Sequence, residues 1–299
     1  MSRKQLVGIV AACVVLVVVI VVVVSLSGHG TVGDRVVTFQ DRNLETAIRD
    51  ALNKPSGPIH ASELAGLESL AASNSGIEHL SGLQYCANLT GLDLQRNQIS
   101  DISSLASLTN LTELDLWRNQ ISDISPLASL TNLTYVDLGD NQISDISALA
   151  NLTNLTEALL YSNQIVDISP LANLTNLQGL SLQYNQASDI SPLANLTGLI
   201  YLDLWSNQIT DISPVANLTG LAYLYLPRNQ ISDISALTGL THLTEILLYN
   251  NQIVDVSPLV DNPGLGKRDY ISLKNNPLSS DSIDVYIAEL VARNVTVEY

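Results

Sequence analysis

The chain holds one phenylalanine and one methionine in 299 residues. Its core must therefore be packed from Leu, Ile, Val and Ala, which make up most of the 46% hydrophobic content. Two cysteines and four histidines are too few and too scattered for a disulfide framework or a Cys/His zinc module. Charge is scarce at 14% and lopsided, with 13 Lys and Arg against 29 Asp and Glu, a net charge of −16. Nucleic-acid phosphates demand basic groups, so a nucleic-acid partner is excluded. The high apolar content excludes wholesale disorder. His29, His60, His79 and His242 lie far apart, and there is no nucleophile–base pair, phosphate-cradling Gly loop or metal-ligand spacing. The expectation is a non-enzyme with no cofactor and no metal.

What is there begins with residues 6–24, LVGIVAACVVLVVVIVVVV, an unbroken apolar run. A membrane-crossing helix needs about 20 such residues. Arg3 and Lys4 precede it. Together they predict a cytoplasmic N-terminus at 1–5, a transmembrane signal anchor over 6–26 and an extracytoplasmic bulk. A cleaved signal peptide is the competing assignment, with Ser25-Leu26-Ser27 as a weak cleavage site, but its apolar region is usually shorter. Val10-Ala11-Ala12-Cys13 has the form of a lipoprotein box, yet Cys13 runs on into eleven more apolar residues. With Cys86 the only other thiol, no intrachain disulfide is expected. Residues 27–38, with Gly28, Gly30 and Gly33, predict a tether. Residues 39–66 predict an N-terminal cap built on a helix over 41–54. There Leu44, Ile48 and Leu52 recur every four residues, Asp41 or Asn43 can cap the start, and Glu45 can pair with Arg49.

From there a repeat takes over, spanning 67–278. Asn97, Asn119, Asn141, Asn163, Asn185, Asn207, Asn229 and Asn251 follow one another at 22-residue intervals. From Leu89 the chain reads Leu-x-x-Leu-x-Leu-x-x-Asn-x-Ile, and eight copies stand in register. Leu114 and Leu116 point the same way on a short strand because side chains alternate. The Asn column marks the turn, where stacked side chains can satisfy backbone groups that would otherwise be orphaned. Ile121, Ile124, Leu127 and Leu130 follow at three-residue spacing, which suits a 3₁₀-like return with Ser125 as cap and Pro126 at its first position. One coil cannot bury so many aliphatics alone, so neighbours must stack. Open sheet ends need covers. At the far end, 279–299, Ile283, Tyr286, Ile287 and Leu290 share a helical face, and 295–299 predict a last strand.

The NQISDISPLANLT core, the 22-residue period and the DRNLETAIRDALNK flank resemble the internalin-type leucine-rich repeat family of bacterial surface proteins, over about 40 to 299. The resemblance implies an α/β repeat solenoid. Its parallel sheet lies on the concave face and short 3₁₀ or irregular segments on the convex face, with a helical N-terminal cap and a helix–strand C-terminal cap. It also implies a partner bound on the concave face, commonly a protein. There is no immunoglobulin-like region after the repeats and no cell-wall sorting signal, so host invasion does not carry over.

The frame sorts side chains by face. Candidate ligand-binding residues on the concave strands are Glu113, Asp115, Trp117, Tyr135, Asp137, Tyr161, Tyr184, Tyr201, Asp203, Trp205, Tyr223, Tyr225 and Tyr249. With Tyr270, ten of the fourteen aromatics lie there. Strand propensity explains aromatics in strands but not their restriction to outward positions, whereas ordered Tyr and Trp are favoured in binding hot spots. Of sixteen acids between Asn88 and Val260, eight are concave. The other eight form a column, Asp101, Asp123, Asp145, Asp167, Asp189, Asp211, Asp233 and Asp255, four residues after each Asn. The column reads as turn chemistry, with weak divalent-cation binding as the competing use. The concave acids suggest a basic or sugar-like partner.

The residue two before each Asn runs Gln95, Trp117, Gly139, Tyr161, then Gln183, Trp205, Pro227, Tyr249, indicating duplication of an 88-residue block. Two similar subsites, or shared ancestry alone, would leave this trace. Most of the nine Asn-x-Thr triplets are by-products of the repeated NLT turn. The expected function is a membrane-anchored extracytoplasmic recognition module for a protein or carbohydrate ligand. A structural or self-associating envelope protein is the alternative, and the oligomeric state is open.

Overall fold

The structure, a computed structural model, describes residues 34–299. The expected cytoplasmic stub and membrane anchor lie outside the described residues. Among the described residues no helix is long and apolar enough to cross a membrane.

The chain enters through β1 (Val36–Val37), which pairs antiparallel with β2 (Ile59–His60). The sequence had placed Val36 and Val37 in the tether. A two-residue strand carries no periodic signal, and it forms because a partner lies across from it. Helix α1 (Arg42–Ala51) starts at Asp41, whose Oδ1 accepts the N–H groups of Asn43 and Leu44 at 2.8 and 3.1 Å. Its other oxygen accepts from Glu78 and His79, at 2.7 and 3.1 Å. One carboxylate thus starts the helix and ties it to the first turn of the solenoid. Burial alone would raise its pKa, but these four N–H donors outweigh burial and lower it. Leu44 and Ile48 are fully buried, and Glu45 meets Arg49 at 2.7 Å. The lone Phe39 packs on this cap against Gly82, whose φ of +111° and lack of a side chain are both required: a Cβ there would lie 2.5 Å from the ring. Helix α2 (Ala61–Leu64) follows β2, with Glu63 accepting the His60 N–H and pairing with Lys54.

Eleven three-residue strands then form one parallel sheet in chain order. They are β3 (Ser69–Ala71), β4 (Gly91–Asp93), β5 (Glu113–Asp115), β6 (Tyr135–Asp137), β7 (Glu157–Leu159), β8 (Gly179–Ser181), β9 (Tyr201–Asp203), β10 (Tyr223–Tyr225), β11 (Glu245–Leu247), β12 (Tyr270–Ser272) and β13 (Thr296–Glu298). Register sets equivalent repeat positions side by side, such as Glu113 against Tyr135 and Asp115 against Asp137. Each middle residue, from Leu70 to Ile271, points into a single core that also takes Leu116, Ile121, Ile124, Leu127 and Leu130 and their equivalents. Apart from Cys86 and the partly buried Phe39 and Tyr side chains, that core is aliphatic. Burial pushes the Cys86 thiol up to about 12, which leaves it unreactive.

The Asn column is a ladder. Asn119 Nδ2 donates to Leu94 O and Leu116 O, both at 3.0 Å, while its Oδ1 accepts the Ile99 N–H at 3.1 Å. The same three bonds recur at Asn163 and at Asn207. On the opposite side run short 3₁₀ turns such as Ser125–Ser129 and Ser169–Leu171. Ser125 does not cap its turn. It is the first turn residue, and its N–H is accepted by Asp123 Oδ1 at 2.8 Å. All eight column aspartates do this for the serine two residues on.

After α3 (Ser257–Val260) and β12, a wide π turn over Ser282–Tyr286 runs into α4 (Ile287–Ala292). The extra residue per turn rotates the expected face. Ile287 and Leu290 are buried, but Ile283 is 37% exposed, and Ser282 goes inside instead. Its hydroxyl donates to Val254 O at 2.8 Å and accepts from the Val256 N–H. β13 closes the sheet.

Candidate ligand-binding face

Because the strands are three residues long, their first and third side chains stand outward beside the equivalents on the next coil, about 4.8 Å away. Asp93, Asp115 and Asp137 are consecutive neighbours in this way, with Glu157 diagonal to Asp137. The sequence treated these as open acids. The structure places only Glu113 and Asp140 among the exposed ones. Asp115 and Glu157 are half-buried, and Asp137 and Asp203 are buried. Tyr161, one coil on, bonds Asp137, and Tyr201 on the same strand bonds Asp203. Burial pushes Asp115 up to about 6 with help from Asp93, and Glu157 up to about 7. Burial and then the charge of Asp115 push Asp137 up to about 8, although it accepts the Gly139 N–H at 2.8 Å and a bond from Tyr161. Tyr161 lies directly over Gly139, where any side chain would collide with its ring.

A second cluster forms further along. Trp205 stands between Tyr184, with ring centroids 5.4 Å apart, and Tyr249, at 5.9 Å. Tyr184 is 43% exposed. On β9 and β10, Tyr201 and Tyr225 meet edge to face at 5.5 Å and are buried, so they offer no exposed ring surface to a ligand. Asp203 is buried as well. It accepts the Trp205 N–H at 3.0 Å and the Tyr201 hydroxyl at 3.2 Å, and burial pushes it up to about 6. Tyr135 and Tyr223 are half-buried on β6 and β10.

The two tryptophans are equivalent by the 88-residue duplication and share one local geometry. Each backbone N–H is held by the preceding aspartate, Asp115 or Asp203, and each indole Nε1 is buried without an acceptor. Their surroundings differ. Trp117 carries the guanidinium of Arg96 at 4.6 Å from its ring, where Trp205 carries tyrosines.

Leucine-rich repeat family models match residues 109–151, 153–195, 197–239 and 220–261, with a further repeat at 85–102. The chain belongs to the leucine-rich repeat family. Among solved structures it is similar to internalin C2 from Listeria monocytogenes, at 41% identity and a TM-score of 0.69, over 72% of this chain and 97% of that one. It is similar to an internalin F from the same organism at 36% identity and a TM-score of 0.61, over 87% and 88% of the two chains. At 25% identity and a TM-score of 0.63 it is similar to a membrane receptor kinase ectodomain from Arabidopsis thaliana, over 74% of this chain and 28% of that one. That ectodomain was solved in complex with Casparian strip integrity factor 2. No curated protein matches the chain.

Within this leucine-rich repeat frame, the Asp column has a turn duty in every coil. Its hydrogen bonds to the turn serines hold Asp101, Asp123, Asp167, Asp189 and Asp233 below the usual carboxylate range. Among the described residues no group of three His, Cys, Asp or Glu is placed to hold a metal. One feature of the face had no signal in the sequence. The residue before each ladder Asn, including Arg96, Arg118, Ser162, Tyr184 and Arg228, has φ between 53 and 58°. None of these is glycine, so composition did not announce the left-handed turn. What the sequence does show is that all three arginines between Asn88 and Val260 occupy this one position.

Proposed function

We propose that the chain is a recognition module whose strand face binds a protein or a glycan, held outside the membrane by the apolar segment at 6–26. The observation that carries this is the pair Trp117 and Trp205. An indole N–H buried without an acceptor costs about 1–3 kcal/mol, and nothing in the repeat requires tryptophan at that position, which elsewhere takes Gln, Gly, Tyr or Pro. What stands open to a ligand is the partly exposed ring face of each indole on the strand surface. The partly exposed rings of Tyr184 and Tyr249 beside Trp205 add rigid apolar surface with polar rims, the composition of hot spots for proteins and of stacking platforms for sugars. The plant ectodomain solved in complex with Casparian strip integrity factor 2 supports the choice of a protein partner. The 19-residue run behind Arg3 and Lys4 supports the anchor.

The test is capture from envelope extracts and on a glycan array, comparing the parent with a Trp117→Ala, Trp205→Ala double variant. Capture should fall at least about thirtyfold, the loss expected for even one hot-spot residue at about 2 kcal/mol. The half-buried indoles also pack, so a melting point a few degrees lower is expected. A Val166→Ala variant, changed at an exposed residue outside the strands, should capture normally. Equal capture by parent and double variant would remove the face from consideration.

A further inference from the structure

At the N-terminal end of the solenoid the turns of three successive coils border a shallow, open cleft of about 320 Å³, lined by Asn74, Arg96, Asn97 and Arg118. We propose that this cleft is an anion subsite, in which Arg96 and Arg118 grip an oxyanion group of the ligand, either a carboxylate or a sulfate or phosphate ester. The proposal rests on the reading that the strand face binds a ligand, and it gives that ligand a chemical feature.

Four observations converge. First, the turn does not need arginine: equivalent places hold Asp140, Ser162, Tyr184, Ser206 and Asn250 in the same left-handed backbone. Second, placing two arginines on adjacent coils sets like charges side by side, in a chain with net charge −16 and only three basic residues in the regular repeats. Third, neither guanidinium is consumed. Arg96 forms no ion pair among the described residues and is steadied by the face of Trp117 at 4.6 Å, which leaves its N–H edges open. Arg118 meets only Asp140, at 3.9 Å through Nε, with both side chains more than half exposed. Fourth, the nearest strand carboxylates, Asp93 and Asp115, are occupied: the Gln95 side-chain amide donates to both, and their other oxygens hold backbone N–H groups. Asn97 is a fixed wall, its amide spent in the ladder, while Asn74 stands exposed beside the two forks. A planar guanidinium pair is the side-chain chemistry that recognises oxyanions through paired N–H bonds.

Contact with Arg96 makes Trp117 a built-in reporter, and the chain has only two tryptophans. The test uses the full chain in detergent, carrying Trp205→Phe so that Trp117 alone emits. It is titrated with sodium sulfate, sodium phosphate or sodium acetate against sodium chloride at matched ionic strength. A saturable change in Trp117 emission is expected with an oxyanion and not with chloride. Its midpoint should move about tenfold or more to higher concentration in an added Arg118→Gln substitution, which leaves the Arg96–Trp117 contact in place. A response to sulfate and phosphate alone assigns an ester group, and a response to acetate assigns a carboxylate. A change that tracks chloride, or one undiminished by Arg118→Gln, overturns the proposal. Because no partner is present, that failure would leave ligand capture through Trp117 and Trp205 untouched, and loss of capture would leave this titration readable.

Discussion

Asp137 sits against Asp115 and Tyr161 with 6% of its surface exposed, and its carboxyl titrates at about 8 instead of the ordinary 3.8. The folded chain therefore holds a proton there that the unfolded chain releases at much lower pH. Between about pH 4 and pH 8 the native state binds more protons, so this group's contribution to stability falls as pH rises. Asp115, Asp203 and Glu157, raised to about 6, 6 and 7, act in the same direction. An Asp137→Asn substitution keeps an acceptor for the Gly139 N–H and cannot ionise. It should raise the melting temperature at about pH 8 and change it little at about pH 5, a contrast that thermal melts at the two pH values will show. Equal shifts at both would mean that the carboxyl is already charged in the native state. None of this was legible in the sequence. The repeat frame placed Asp137 on the correct face, but its burial depends on what Tyr161 does one coil away over a residue that happens to be glycine. The same holds for Tyr201 and Tyr225, assigned to the binding surface by alternation and found buried.

At the scale of one coil, the ladder Asn and the column Asp are both polar residues in a turn, yet they carry different weights. The Asn163 amide makes four bonds to backbone groups, and its loss would leave the Leu138 and Leu160 carbonyls and the Ile143 N–H without partners in a closed interior. An Asn163→Ala variant should lose about 2–4 kcal/mol by denaturant unfolding. Asn154→Ala removes one exposed bond to Thr131 O and should cost less than about 1 kcal/mol. Comparable losses would contradict the ladder's structural role. Coil chemistry was largely legible because every coil repeats it: strand, Asn turn and 3₁₀ return could each be read from eight aligned copies. What failed was local detail without repetition. Val36–Val37 pairs by virtue of its partner, the π turn at Ser282–Tyr286 shifts a helical face by one residue, and the serine expected to cap the return turn yields that duty to Asp123.

Across the molecule, equivalent residues 22 apart pair in register from β3 to β11, and the last regular step stretches to 25 between Glu245 and Tyr270. Such a stack has no privileged number of coils. Excising residues 153–174, one full period, should leave a folded chain with a proportionally reduced unfolding enthalpy by calorimetry. Excising one residue fewer should give no cooperative transition, because a slip of one residue turns core side chains outward. The acids follow the same division at this scale. Asp101, Asp123, Asp167, Asp189 and Asp233 of the column, held below the usual carboxylate range, favour the fold once ionised, and the acids buried on the strand face favour it at lower pH. Maximum stability is expected on the acid side of neutrality, checked by melts from about pH 3 to pH 9.

The ladder also has a direction. Each Asn side chain completes the turn of the coil before it: Asn119 accepts from Ile99 and donates to Leu94, and Asn276 does the same for the coil of Asn251. Each Asn also bonds its own turn, as Asn119 does at Leu116 O, but no regular turn is complete until the next coil supplies its Asn. A chain emerging from the ribosome therefore carries, at every moment, one unfinished coil at its growing end, which the next some twenty residues will seal. Synthesis and assembly run the same way along the molecule. The final Asn is the only rung with no successor, and there the wide π turn and α4 stand where a further coil would begin.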